Sequence, residues 1–90
     1  MKVEYEEAVK GTPKDALLLG RSSWQPDEPS LKYGWPDKNG KRARGGEIPV
    51  SAVPQAVLFA ARNGYLDRNQ VAKIIKGLTD VLAKKQSPLP

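Results

Sequence analysis

Apolar residues follow two different patterns over the first twenty positions. Val3 and Tyr5 alternate with charged residues, which is the period of a half-buried edge strand. Residues 16–19 are instead a continuous apolar run. Because Thr12-Pro13 supplies a cap and a first helical residue, and Gly20 can end a helix, this stretch predicts a helix of about two turns anchored by its leucines.

Residues 21–30 are predicted to form a loop. They contain two prolines and a Pro-Asp pair, which oppose both a helix and a central strand. Trp24 is unusual in such a segment, and two interpretations stay open for it. It is either a lid over a small core or an exposed aromatic that stacks on a base or on a protein partner.

A β-hairpin is predicted around Asn39-Gly40, a dipeptide whose residues both accept the positive φ angles of a tight turn. The first strand would hold Leu31, Tyr33 and Trp35, which alternate with a lysine and a glycine. Residues 47–50 fit either a bend or a short strand. The second strand of the hairpin would carry the basic residues Lys41, Arg42 and Arg44.

Two helices joined by Asn63-Gly64 are predicted for the C-terminal part of the chain. In the first, Ser51 is predicted as the N-cap. Residues 52–62 would present apolar side chains on nearly every face of this helix, which is typical of a helix at the centre of a core or of a subunit interface. In the second, Asp67 and Gln70 have the spacing of a capping box. Its apolar stripe consists of Val71, Ile74, Ile75, Leu78 and Leu82. The side chains expected to hold the protein together are Val53, Val57, Phe59, Val71, Ile75 and Leu78.

These elements predict an α+β fold with a short N-terminal strand and helix, a β-hairpin around Asn39-Gly40, and then two C-terminal helices. We expect one small domain over residues 1–86 and a flexible tail at residues 87–90. With 90 residues, of which 39% are apolar, the core must be modest. A homodimer would add buried surface to such a core.

The chain contains no cysteine and no histidine. A disulfide framework, a thiolate metal site and the mechanisms that pair a nucleophile with histidine are therefore excluded. We expect a protein that is not an enzyme and that uses no metal or cofactor. No apolar run approaches the roughly 18 residues of a membrane span, so a cytoplasmic protein without a membrane partner is expected.

The net charge of +5 is unevenly distributed. Residues 1–30 hold four basic and six acidic residues, whereas residues 31–50 hold five and two. This imbalance favours an acidic partner, with nucleic acid as the first candidate, although the same charge would also serve solubility. The densest basic group is Lys38, Lys41, Arg42 and Arg44. These residues are either DNA contacts or charges that keep an edge strand from aggregating.

The order of a basic strand, an apolar helix, an Asn-Gly pair and an amphipathic helix resembles the ribbon-helix-helix family of bacterial and phage repressors. Pro49, Asn63-Gly64 and Val71 stand where that family has a proline after the strand, an Asn-Gly that closes the first helix, and a β-branched core residue. The resemblance covers residues 41–85. It implies an intertwined homodimer whose paired strands lie in the DNA major groove.

The resemblance also implies that Arg42 and Arg44 lie near the ribbon and that Arg68 lies in a segment whose backbone approaches a phosphate. The leading hypothesis is therefore a small basic DNA-binding protein that contacts DNA through its basic hairpin strand, in a role such as transcription regulation. The alternative is a protein-interaction or inhibitor module of the phage or plasmid accessory type. That module would use Trp24, Tyr33 and Trp35 as contact aromatics.

Overall fold

The computed structural model describes residues 1–41 and 46–84, and contacts divide the chain into two compact units, Met1–Pro54 and Gln55–Pro90. The first unit contains an antiparallel sheet, and the second contains most of a helical pair. The predicted α+β class is confirmed. The elements are β1 (Lys2–Val9), β2 (Thr12–Arg21), β3 (Pro29–Gly34), β4 (Glu47–Pro49), a 3₁₀ turn (Val50–Ala52), α1 (Val53–Arg62) and α2 (Arg68–Lys84).

The sheet has the strand order β1-β2-β3-β4, and every neighbouring pair is antiparallel. The edge strand predicted around Val3 and Tyr5 is confirmed as β1. A tight turn joins β1 to β2, and Gly11 there has a φ of 91°, which glycine adopts without steric cost.

The single domain predicted for residues 1–86 stays a prediction, and the tail predicted at residues 87–90 lies outside the described residues.

The helix predicted from Thr12-Pro13 to Gly20 is wrong, because this segment is β2, and both helices of the described chain follow the four strands. Ala16 and Leu18 are buried, whereas Leu17 and Leu19 are exposed. This is the alternation of a strand, hidden in the sequence because both faces carry leucine. Pairing with β1 on one side and β3 on the other satisfies the backbone of β2.

The predicted hairpin is confirmed at its turn and changed at its second strand. Residues 37–41 form a hydrogen-bonded turn in which Gly40 has a φ of 78°. The strand that pairs with β3 is β4, so the open choice for residues 47–50 is settled in favour of a strand. Arg42 and Arg44, predicted on the second strand, lie outside the described residues.

The first unit has a small core and a polar junction beside it. Ala16 and Leu18 are only 3% and 4% exposed, and Ser30 is fully buried. The Ser30 hydroxyl donates to the Glu47 carboxylate at 2.9 Å, and the Ser23 hydroxyl donates to the same carboxylate at 2.8 Å. Glu47 therefore joins the loop between β2 and β3 to the short strand β4, which pairs with β3 at only three of its residues.

The local signals of the helical pair are confirmed. The backbone N–H of Gly64 donates to Ala61 and that of Tyr65 donates to Ala60, which is the hydrogen-bond pair of a Schellman motif. At the start of α2, the Asp67 side chain accepts from the Gln70 N–H and the Gln70 side chain accepts from the Asp67 N–H, each at 2.8 Å. The capping box is therefore complete.

The start of α1 differs from the prediction. The 3₁₀ turn Val50–Ala52 precedes the helix, and its N-cap is Pro49, with no side-chain hydrogen bond. Ser51 therefore lies inside the turn instead of capping the helix.

The predicted core of the helical pair is partly wrong. Phe59, Ile75 and Leu78 are 70%, 60% and 61% exposed. The half-buried side chains include the predicted core residues Val53, Val57 and Val71, together with Ile74 of the predicted stripe. The covered side of α2 is therefore the edge of that stripe that holds Val71 and Ile74. None of the described residues of α1 or α2 is fully buried.

Asp67→Ala is expected to lower the stability of the helical pair by about 1 kcal/mol, because it removes the N-cap of α2. The measurement is the thermal unfolding of helical circular dichroism. Asp80→Ala is the matched control. It removes only an exposed ion pair between Asp80 and Lys76, 3.3 Å long, which contributes little. Equal losses in the two variants would contradict a stabilising role for the capping box.

Candidate nucleic-acid interface

One face of the sheet carries apolar and aromatic side chains in two rows that cross the strands. Residues directly opposite one another in a sheet share a face, so the register assigns these rows. The first row is Tyr5, Leu19, Leu31 and Ile48. The second row is Glu7, Leu17 and Tyr33. We call this surface the aromatic face.

The aromatic face is open to solvent, in contrast to the side of β2 that buries Ala16 and Leu18. Most of its large apolar side chains are exposed. A shallow groove of about 300 Å³ runs along it. The groove is lined by Tyr5, Glu6, Glu7, Leu17, Leu19 and Leu31. An exposed apolar surface of this kind marks a binding site more often than a solvated face.

Two aromatic rings lie side by side at the end of β3. The ring centroids of Tyr33 and Trp35 are 6.3 Å apart with an interplanar angle of 42°, and both residues are 42% exposed. The Tyr33 hydroxyl donates a hydrogen bond of 2.6 Å to Oδ2 of Asp15 on β2. That hydrogen bond to the Asp15 carboxylate raises the pKa of Tyr33. Tyr33 is therefore held in one orientation while much of its ring stays accessible.

A basic turn follows the aromatic pair directly. One carboxylate oxygen of Asp37 accepts from the N–H groups of Asn39 and Lys41, at 2.8 and 3.0 Å. The Gly40 N–H donates to the Asp37 carbonyl at 3.1 Å, and the Asp37 N–H donates to the Lys41 carbonyl at 2.6 Å. These bonds close residues 37–41 into a compact loop. Its two lysines, Lys38 and Lys41, are exposed.

The structure brings together only some of the predicted nucleic-acid contacts. Lys38 and Lys41 share the basic turn, next to the aromatic pair. Arg42 and Arg44 lie outside the described residues. Arg68 is the first residue of α2, exposed, and belongs to the second compact unit. Tyr33, Trp35 and the basic turn therefore form the candidate site that the described residues support.

Trp24 lies in the loop between β2 and β3, as predicted. It is 48% exposed, which favours the exposed aromatic over the lid. The loop is closed by a hydrogen bond from the Ser22 N–H to the Glu28 carbonyl, at 3.0 Å. Arg21 also donates to the Pro26 carbonyl at 3.1 Å. Trp24 is thus presented by an ordered loop, separately from the Tyr33–Trp35 pair.

Other residues of the aromatic face were not predicted as site residues. Asp15, Leu17 and Leu19 all lie in the segment that was predicted to be a helix. The only sequence signal for them was the spacing of two between Asp15, Leu17 and Leu19. The hydrogen bond between Asp15 and Tyr33 joins residues 18 positions apart, so no local pattern indicated it.

The ribbon-helix-helix resemblance stays a prediction. In that family the strand before the helices pairs between two chains. Here β4 pairs with Ser30–Lys32 of β3 in the same chain. The intertwined homodimer also stays a prediction, and sedimentation equilibrium measures it directly.

Comparisons of the chain with protein-family models, with curated proteins and with solved structures each find no match. Within residues 1–41 and 46–84, no group of three or more acidic side chains is arranged to hold a metal ion. None of the helices in that part of the chain is long and apolar enough to cross a membrane.

Proposed function

We propose that this protein binds nucleic acid through a surface formed by the Tyr33–Trp35 pair and the basic turn. The observation that carries the proposal is the position of two exposed aromatic rings immediately before a turn with two exposed lysines. Aromatic rings contact bases, and lysines neutralise phosphates, so the two together form a nucleic-acid site. The net charge of +5 supports the same partner.

In this proposal Lys38 and Lys41 contact the sugar-phosphate backbone. The hydrogen bonds of Asp37 fix the turn before the ligand arrives, which lowers the entropic cost of binding. Arg42 and Arg44 follow in the sequence and would extend the phosphate contacts along the chain. DNA is the proposed ligand, and sequence-specific binding would allow a role in transcription regulation.

The double variant Lys38→Ala/Lys41→Ala is expected to weaken binding and to flatten its dependence on salt. Each phosphate contact contributes about 0.7 to 0.9 to the slope of log K against log salt concentration, so the slope should fall by about 1.5. Fluorescence anisotropy with a labelled oligonucleotide at several salt concentrations measures both quantities.

The matched control is Lys73→Ala/Lys76→Ala, which removes the same charge from exposed positions of α2. It should leave affinity and slope nearly unchanged. Equal losses in the two variants would show that binding responds to net charge and not to the basic turn. Absence of binding to any nucleic acid at low salt would rule out the proposed function.

A second candidate function is a protein-interaction module, favoured by the groove on the aromatic face. Its lining combines apolar side chains, among them Tyr5, Leu17 and Leu19, with the two glutamates Glu6 and Glu7. Such a surface fits an apolar peptide that carries basic residues. A labelled oligonucleotide at low salt separates the two candidates, because an apolar groove with glutamates in its lining repels phosphate and would not bind it.

A further inference from the structure

We infer that the ligand of this site is single-stranded nucleic acid, with bases stacked on Tyr33 and Trp35. This inference rests on the proposed function and specifies its substrate class. In a duplex the flat sides of the bases are covered by their neighbours, and only base edges and the backbone reach a protein. A pair of exposed aromatic rings can use its flat surfaces only on bases that are unpaired.

The distance between the two rings also favours a single-stranded ligand. Their centroids are 6.3 Å apart, whereas neighbouring bases along one strand of a duplex rise by only about 3.4 Å. Two consecutive bases can each cover one ring if the strand is drawn out to nearly twice its duplex rise. A single strand extends in this way, and a base-paired strand does not.

The rings are also tilted by 42° to one another. They therefore form two separate platforms, not a slot for one base. Alternate residues of an extended backbone are separated by about 6.6 Å, which is close to the spacing of Tyr33, on β3, and Trp35, the residue after its end. The residue between them, Gly34, is buried and adds no side chain to the platform.

The charges near the rings orient the backbone of such a strand. The Asp15 carboxylate lies 2.6 Å from the Tyr33 hydroxyl, and its negative charge repels phosphate from that hydroxyl. Lys38 and Lys41, which are exposed in the turn that follows Trp35 in the chain, attract phosphate. The phosphates are thus drawn to the basic turn while the bases cover the rings. A basic or apolar peptide would gain nothing from these lysines, so nucleic acid is the better fit.

The test compares a single-stranded oligonucleotide of about 16 nucleotides with the duplex that it forms with its complement. It is performed in a Trp24→Phe background, which leaves Trp35 as the only tryptophan. Binding of the single strand should quench Trp35 fluorescence. The single strand should also bind more tightly than the duplex at equal salt concentration.

Tyr33→Leu/Trp35→Leu should lower the affinity for the single strand at least about 30-fold, because each stacked base contributes about 1 to 3 kcal/mol. Leucine keeps apolar bulk on the sheet, so the loss would reflect the missing rings. Tyr33→Phe/Trp35→Phe keeps both rings and should retain most of the affinity. Circular dichroism and urea unfolding confirm that each variant is folded before its affinity is compared.

Each result has a defined meaning. No binding to either form at low salt removes the proposed function and this inference together. Equal or tighter binding of the duplex, or unchanged single-strand affinity in the leucine variant, overturns the inference but leaves nucleic-acid binding in place. Preference for the single strand, lost with leucine and retained with phenylalanine, supports it.

Discussion

Gly20→Ala is expected to unfold the sheet. A Cβ at this position would collide with the carbonyl oxygen of Lys2 and would lie 2.8 Å from that carbonyl carbon and 3.0 Å from the Cα of Val3. All three atoms belong to the backbone of β1, so no side-chain rotation relieves the contact. We expect a loss of at least about 3 kcal/mol, a large share of the stability of so small a domain.

Urea unfolding monitored by tryptophan fluorescence measures this loss, because Trp24 and Trp35 both belong to the first compact unit. Gly77→Ala is the matched control. Nothing lies within 4 Å of a Cβ at Gly77, which is in the interior of α2. It should raise the stability of the helical pair by about 1 kcal/mol. Wild-type stability of Gly20→Ala would contradict the close packing of β1 on β2.

The position of Gly20 also connects the fold to the candidate site. Val3 pairs with Gly20 and Tyr5 with Leu19, so β1 has an irregularity between Val3 and Tyr5. This irregularity lies next to the point where the β1 backbone approaches Gly20 too closely for alanine. Tyr5 lies opposite Leu19 on the aromatic face. Tyr33 is on β3 of the same sheet and Trp35 follows that strand, so loss of the sheet in Gly20→Ala should also reduce nucleic-acid affinity.

Local hydrogen bonding explains which elements the sequence predicts well. The Schellman motif at Gly64 and the capping box of Asp67 and Gln70 each depend on partners within five residues. Their geometry follows from short-range spacing alone. The end of α1 and the start of α2 were therefore visible in the sequence before any tertiary contact was known, whereas the start of α1 was not.

The error at β2 has a nonlocal cause. Thr12, Pro13 and Gly20 are helix signals that fit a strand equally well once neighbouring strands supply hydrogen bonds. Gly20 in particular is needed for a close backbone approach from β1, and not for the end of a helix. The partners of β2 are β1 and β3, and only their pairing decides its conformation.

The candidate site was predictable in its parts but not in its arrangement. Tyr33 and Trp35 were recognised as contact aromatics and Lys38 and Lys41 as basic contacts, as alternatives for different partners. In the structure the aromatic pair lies at the end of β3, and the two exposed lysines lie in the hydrogen-bonded turn that follows it in the chain. The hydrogen bond of Tyr33 to Asp15 required the register of β2 against β3, which no local pattern contains.

Glu47→Ala is expected to destabilise the first unit by about 2 kcal/mol at neutral pH. The Ser30 hydroxyl is fully buried and donates to the Glu47 carboxylate at 2.9 Å, so the variant leaves a buried donor without that acceptor. Ser23 loses hydrogen bonds from its hydroxyl and its N–H, and the Met1 ammonium loses an ion pair of 3.6 Å. Urea unfolding at neutral pH measures the loss.

Glu4→Gln is the matched control, because the Glu4 carboxylate makes an exposed ion pair of 3.5 Å with Arg21. Exposed pairs of this kind contribute less than about 1 kcal/mol. A loss as large as that of Glu47→Ala would show that any acidic residue of the sheet has the same effect. The difference between the two variants therefore measures what the hydrogen bonds of Glu47 to Ser23 and Ser30 contribute.

The same carboxylate should also make stability depend on pH. The hydrogen bonds from Ser23, followed by that from Ser30, lower the pKa of Glu47 in the folded protein. A lowered folded pKa gives stability that is complete above the unfolded value, about 4.3, and is lost as pH falls through the folded value. Glu47→Gln removes this titration, so its stability should change less than that of the wild type across that range. Parallel curves for the two proteins would show that other carboxylates control acid unfolding.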